Sequence, residues 1–151
     1  MSRVVRFATI AIALGLFASP NLAAKNARQH RIAIHVDQND PAVMNQALNN
    51  ATNVIEYYRG KGEEVQVDVV AYGPGLHMFR DDTSPVKDRI KWLTEFSFPS
   101  NIKFSACHIT KELMEKREGH SIPIISQATL VPSGVVHLME LQEQGWSYIR
   151  P

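Results

Sequence analysis

Hydrophobic and polar positions recur with two different periods along this chain, and the changes of period mark out its elements. The run "RIAIHVD" at residues 31–37 is nearly continuous and rich in β-branched residues. That pattern predicts a strand buried on both faces. In the next segment, 40–62, Met44, Ala47, Leu48, Ala51, Val54, Ile55 and Tyr58 recur at steps of three and four. This is the stripe of an amphipathic helix. Asp40 suits its N-cap, Pro41 its first position, and Gly60 and Gly62 its end.

The period returns to two in "EVQVDVVAYG", 64–73, a second strand that ends at the sharp turn "GPG". Ser84 and Pro85 open a second helix with Val86, Ile90, Leu93 and Phe96 inward, and "FPSN" closes it. "IKFSAC", 102–107, is the third strand. "HITKELMEKREG" is a short helix with Ile109 and Leu113 one turn apart. After a turn around Pro123, residues 127–131 form a fourth strand. "VVHLMELQEQ" is a helix stopped by Gly145, and "WSYIR" is a short last strand.

Strands alternating with helical connections of this length predict parallel crossovers. The expected fold is a doubly wound α/β domain, with a mostly parallel sheet of about five strands and helices on both faces. Its layering is flavodoxin-like, and ligands in such sheets bind outside the carboxyl ends of the strands.

The first residues break this pattern. Arg3 and Arg6 precede an unbroken apolar run, "FATIAIALGLFA", and then "SPNLAA". This is the order of a secretory signal peptide, expected over residues 1–24. An uncleaved anchor is the alternative, although the run is shorter than the ~20 residues a spanning helix needs. Residues 25–30 read as a short polar leader and 31–151 as the domain. The expected product is exported to the periplasm and is not held in a membrane once the signal is removed. The signal takes two of the 16 basic residues and none of the 15 acidic ones, so the remaining chain carries one net negative charge. No basic stripe remains, which argues against a nucleic-acid partner.

Export changes the meaning of Cys107, the only cysteine. In an oxidising compartment a lone thiol is buried, functional or paired with another chain. Cys107 ends a strand just before a helix, where free N–H groups and the helix dipole favour a thiolate. The competing reading is packing, because free cysteine is among the most buried residue types. Four loops leave the carboxyl ends of strands, and they supply the pocket-lining candidates Asp37, Gly73, Gly75, His77, His108, Ser133 and Gly134. Ser133 fits a helix cap more simply than an anion site. No phosphate-loop or dinucleotide fingerprint is present, so no cofactor is indicated. The six histidines show no metal-ligand spacing, and a site assembled in space from His77 and His108 is left open.

Taken in order, "HVDQNDPAVMNQALNNATNV", "VVAYGPGLHMF", "FSACHIT" and "VPSGVVHLMELQEQGWSYIRP" resemble the DsrE/DsrF-like family, which includes the TusD-type sulfur-relay subunits. The resemblance runs over almost all of residues 31–151. It implies a small α/β domain that assembles into homo-trimers or hexamers. It also implies that Cys107 carries sulfane sulfur as a persulfide between a donor and an acceptor protein, a sulfurtransferase-like role. The alternative is a non-catalytic, oligomeric module of the same fold that binds a small ligand or a partner.

Overall fold

The computed structural model describes residues 30–151, and within them five strands alternate with four α-helices. The expected signal peptide and residues 25–29 of the expected leader lie outside the described residues. His30 does not belong to a leader. It opens β1, His30–Val36, where its ring stacks on Tyr58 at 3.7 Å and its Nε2 lies 2.8 Å from Glu63.

Helix α1, Pro41–Gly60, starts as the pattern predicts, with the Asp40 carboxylate accepting from Ala42 N at 2.7 Å. Its buried stripe of Met44, Ala47, Leu48, Ala51 and Ile55 covers the sheet. Strand β2 is Val65–Ala71. The expected turn at "GPG" is in fact a longer 3-10 segment, Gly73–Phe79. The apolar residues that follow the turn explain this, since the winding takes Leu76, Met78 and Phe79 fully into the core. Helix α2 is Lys87–Phe96, shorter than predicted. Ser84 is spent on the preceding loop, where its hydroxyl donates to Met78 O at 2.6 Å.

Strand β3, Asn101–Cys107, leads directly into helix α3, His108–Glu118. The pair Ile109 and Leu113 is exposed on α3, and Met114 is the residue that faces the core. Strand β4 is Ala128–Val131, helix α4 is Gly134–Glu143 and strand β5 is Ser147–Ile149.

All pairings among these strands are parallel, in the order β4-β3-β2-β1-β5. The chain steps outward from β1 to β4, and α4 then carries it back to place β5 beside β1. Right-handed crossovers put the three outward helices on one face and the returning helix on the other. The apolar clusters agree. Ile34, Val67 and Phe104 pack with α1, α2 and Met114, whereas Ala33 and Val70 pack with Leu138 and Leu141 of α4. Those four form the buried apolar cluster of the α4 face among the described residues. No helix among the described residues is long and apolar enough to cross a membrane.

Candidate functional site

In a doubly wound sheet the ligand crevice opens where neighbouring strands send their helices to opposite faces. Here that place is the carboxyl end of β3 and β4. Helix α3 leaves β3 toward one face and α4 leaves β4 toward the other. Cys107 is the last residue of β3 and the N-cap of α3. Gly134 is the first residue of α4, and a Cβ built on it would lie 3.2 Å from the Cys107 Cβ. The thiol carbon is therefore wedged between the first turns of two helices. Cys107 is a free cysteine, 4% exposed. Its Sγ makes no capping hydrogen bond to α3. The expected amide cradle on its own helix is absent, because strand alternation turns the side chain toward α4.

Side chains on the α4 face form a row at this edge. Ala71 pairs with Val36 and with Ala106, and Tyr72 N continues the ladder to Val36 O at 3.3 Å. One residue further, Asp37, Tyr72 and Cys107 follow one another across the sheet. Asp37 is clamped by Arg150 in a two-point ion pair, with Nη2 at 2.7 Å and Nε at 3.1 Å. Behind it, the His35 ring stacks on Tyr72 at 4.5 Å and its Nδ1 is 2.8 Å from the Tyr148 hydroxyl. His35 Nε2 is buried and has no hydrogen-bond partner among the described residues. Burial pushes the His35 pKa below its ordinary value, against the pull of Asp37, and Arg150 adds to the lowering. Burial, then Asp37, holds the Tyr72 phenol above its ordinary value. Tyr72 is thus the aromatic next to the thiol, with His35 and then Tyr148 behind it toward β5.

Deeper on the same face, the buried Asp68 carboxylate accepts from Ser105 Oγ at 2.7 Å and from His137 Nε2 at 2.9 Å. The composition is that of a hydrolase triad, but the arrangement is different. The carboxylate sits between serine and histidine, so the histidine does not activate the hydroxyl. Asp68 instead fastens α4, which carries His137, to β2 and β3.

The predicted pocket residues divide between two places. Asp37 and Gly134 lie in the row with Cys107. Gly73 and His77 line a separate cleft of about 250 Å³ beside α3, together with Thr110 and Arg117. Burial, then Arg80, lowers the His77 pKa. Gly75 packs against the end of β1 and lines neither place. His108 is exposed on the first turn of α3, 4.0 Å from Glu112. Ser133 occupies the N-cap position of α4, but its side chain makes no capping bond. No group of three or more metal-ligating side chains converges among the described residues.

His35, Tyr72, Asp68, His137, Tyr148 and Arg150 were not legible as site residues. Two of them carried a signal. Asp68 in "VQVDVVA" and His35 in "IAIHV" are polar residues inside runs that the pattern buries, and a buried polar group requires a partner.

The contact at Gly134 leads to a prediction. A Cβ there would lie 2.9 Å from both Cβ and Cδ1 of Tyr72, and Tyr72 Cβ cannot rotate away. Gly134→Ala should push the first turn of α4 off the sheet at a cost of about 1–3 kcal/mol. Iodoacetamide should then label Cys107 faster than in the wild type. An unchanged denaturation midpoint with an unchanged labelling rate would mean that α4 does not cover the thiol.

No family model matches the chain, and no curated protein matches it either. Among solved structures it is similar to MTH1491, a protein of unknown function from Methanobacterium thermoautotrophicum, at 28% identity and a TM-score of 0.68. The alignment covers 82% of this chain and 100% of that one. The likeness supports what the strand order already establishes: the chain is a doubly wound α/β domain built on a five-stranded parallel sheet.

Proposed function

We propose that the protein is an exported, DsrE/DsrF-like sulfur carrier that holds sulfane sulfur as a persulfide on Cys107 and works as a homo-oligomer. The observation that carries this reading is the position of Cys107 at the β3/β4 crevice, between the first turns of α3 and α4. The electropositive N-terminal end of α4 faces the thiol carbon.

Loading follows ordinary thiolate chemistry. The Cys107 Sγ thiolate attacks the outer sulfur of a donor such as thiosulfate and forms an S–S bond. The donor's own S–S bond breaks, and its electron pair leaves with sulfite. Unloading reverses the roles. An acceptor thiolate takes the outer sulfur as a new persulfide, and the Cys107 thiolate is regenerated. Access is consistent with the thin apolar contact of α4, where Leu138 and Leu141 contribute about 1.5–3 kcal/mol each.

Intact-mass measurement after exposure to thiosulfate or polysulfide tests the proposal, and the single cysteine makes the result unambiguous. The wild type should gain one sulfur atom, and Cys107→Ser should gain none. A wild type that gains no sulfur, or a serine variant that gains it equally, ends the carrier reading. The 4% exposure of Cys107 favours a second reading, a binding module in which the thiol only packs. In that case iodoacetamide should leave the native protein unlabelled until it is denatured.

A further inference from the structure

The second cleft has its own chemistry. It opens at the carboxyl edge, outside the ends of β1, β2 and β3, on the face of the sheet opposite α4. Loops and turns after all three strands contribute to it: Asn39 after β1, Pro74 and His77 after β2, and α3 after β3. Its volume of about 250 Å³ is below the ~300–1,000 Å³ of sites for drug-sized ligands.

Arg117 lies on the wall of this cleft and makes no ion pair or hydrogen bond with any described residue. Carboxylates nearby are committed elsewhere. Asp82 and Glu118 both hold the buried Arg80 guanidinium, at 2.7 Å each. Glu115 holds Lys111 at 2.5 Å and accepts from Ile122 N at 2.9 Å. The exposed guanidinium therefore has no protein partner among the described residues, as is also true of Arg31, whereas Arg59, Arg80, Arg89 and Arg150 find acceptors.

Thr110 adds a donor. Thr52 and Thr94 donate their hydroxyls to carbonyls one turn back in their helices. Thr110 instead accepts from Gly73 N at 3.0 Å and has no acceptor of its own among the described residues. Its proton is available to something in the cleft. Leu113, 60% exposed, and Pro74 supply an apolar wall beside the buried Met114.

We propose that this cleft binds a small amphipathic monoanion, a short-chain carboxylate or sulfonate, with its oxygens on Arg117 and Thr110 and its chain along Leu113, Met114 and Pro74. A guanidinium presents the paired donors that a carboxylate or sulfonate accepts. A cation is repelled by Arg117, and a neutral alcohol leaves the charge unmatched. The Cys107 side chain is on the other face of β3, so the cleft can bind its anion whether or not Cys107 carries sulfur.

Nuclear magnetic resonance titration of the ¹⁵N-labelled protein with hexanoate and with hexane-1-sulfonate tests this, with hexan-1-ol as the neutral control. Both anions should give saturable shifts at the amides of Asn39, Gly73, His77 and Thr110. Hexan-1-ol, and hexanoate with Arg117→Gln, should bind about tenfold more weakly or worse, the scale of a lost charge-assisted bond. Leu113→Ser should weaken hexanoate by about threefold or more through lost apolar contact. Both substitutions are at exposed positions, and circular dichroism verifies that the fold is kept. The proposal is overturned if neither anion gives a saturable response, or if the shifts map elsewhere. It is also overturned if hexan-1-ol equals hexanoate, or if Arg117→Gln or Leu113→Ser binds hexanoate like the wild type.

Discussion

Gly75→Ala is expected to destabilise the domain by more than about 3 kcal/mol, beyond the usual range for one added methyl group in a core. The cause is backbone against backbone. A Cβ at this position would lie 2.1 Å from Val36 O, 2.5 Å from Val36 C and 2.8 Å from Asp37 Cα. No side-chain rotation relieves such a contact, so either the end of β1 or the 3-10 segment must move. Leu76, Met78 and Phe79 follow directly and are fully buried, so moving the segment withdraws them from the core. Moving β1 instead displaces Asp37 from Arg150. Gly73→Ala is the control. Gly73 has φ of 53° with nothing within 4 Å, so its variant should lose only the ~1–2 kcal/mol of a left-handed backbone. Urea denaturation of both variants reads the difference. If Gly75→Ala unfolds at the same midpoint as Gly73→Ala, the close approach of the 3-10 segment to β1 is wrong.

Asp68→Ala is expected to be nearly as damaging, at about 3 kcal/mol or more. Asp68 is 2% exposed and is the shared acceptor for Ser105 and His137. Its removal leaves a buried hydroxyl and a part-buried imidazole without a partner, and it cuts the polar tie between α4 and the sheet. Two effects should appear together. The thermal midpoint should fall by on the order of 10 °C, and iodoacetamide should reach Cys107 faster, because the helix that covers the thiol is the one released. Asp68→Asn should lose less, since an amide keeps one acceptor and a serine hydroxyl can reverse its role. A midpoint that falls with no change in labelling would place Asp68 in general stability and not in the cover over Cys107.

The two predictions concern residues of very different legibility. Gly75 is visible in the sequence as part of "GPG", and the turn it marks is real at its start. The continuation into a 3-10 segment is not visible, because its cause is burial of Leu76, Met78 and Phe79 against strands that are distant in the chain. Asp68 is visible only as a charge in a buried run. Its partners come from residues 37 and 69 positions away, and no local pattern encodes such pairings. Ile109 and Leu113 show the opposite failure. They are spaced one helical turn apart as core residues would be, yet both are exposed. Spacing identifies a face of a helix but not what that face meets.

What the sequence determined by itself is local in origin. Period two and period 3.6 set the strands and helices, Asp40 and Pro41 set the start of α1, and helical connections between strands imply a parallel sheet. The end of a strand and the start of a helix fall at Cys107 on the same evidence. Only the tertiary structure decided which side of the sheet each residue faces. That depends on α4 returning to the opposite face, a consequence of chain handedness acting over the whole domain. This one crossing turns Cys107 toward Gly134 and away from α3. It also separates Asp37 and Gly134 from Gly73 and His77, and leaves Arg117 at the mouth of a second cleft. Backbone periodicity is written within a few residues, whereas convergence is set by packing between elements far apart in the chain.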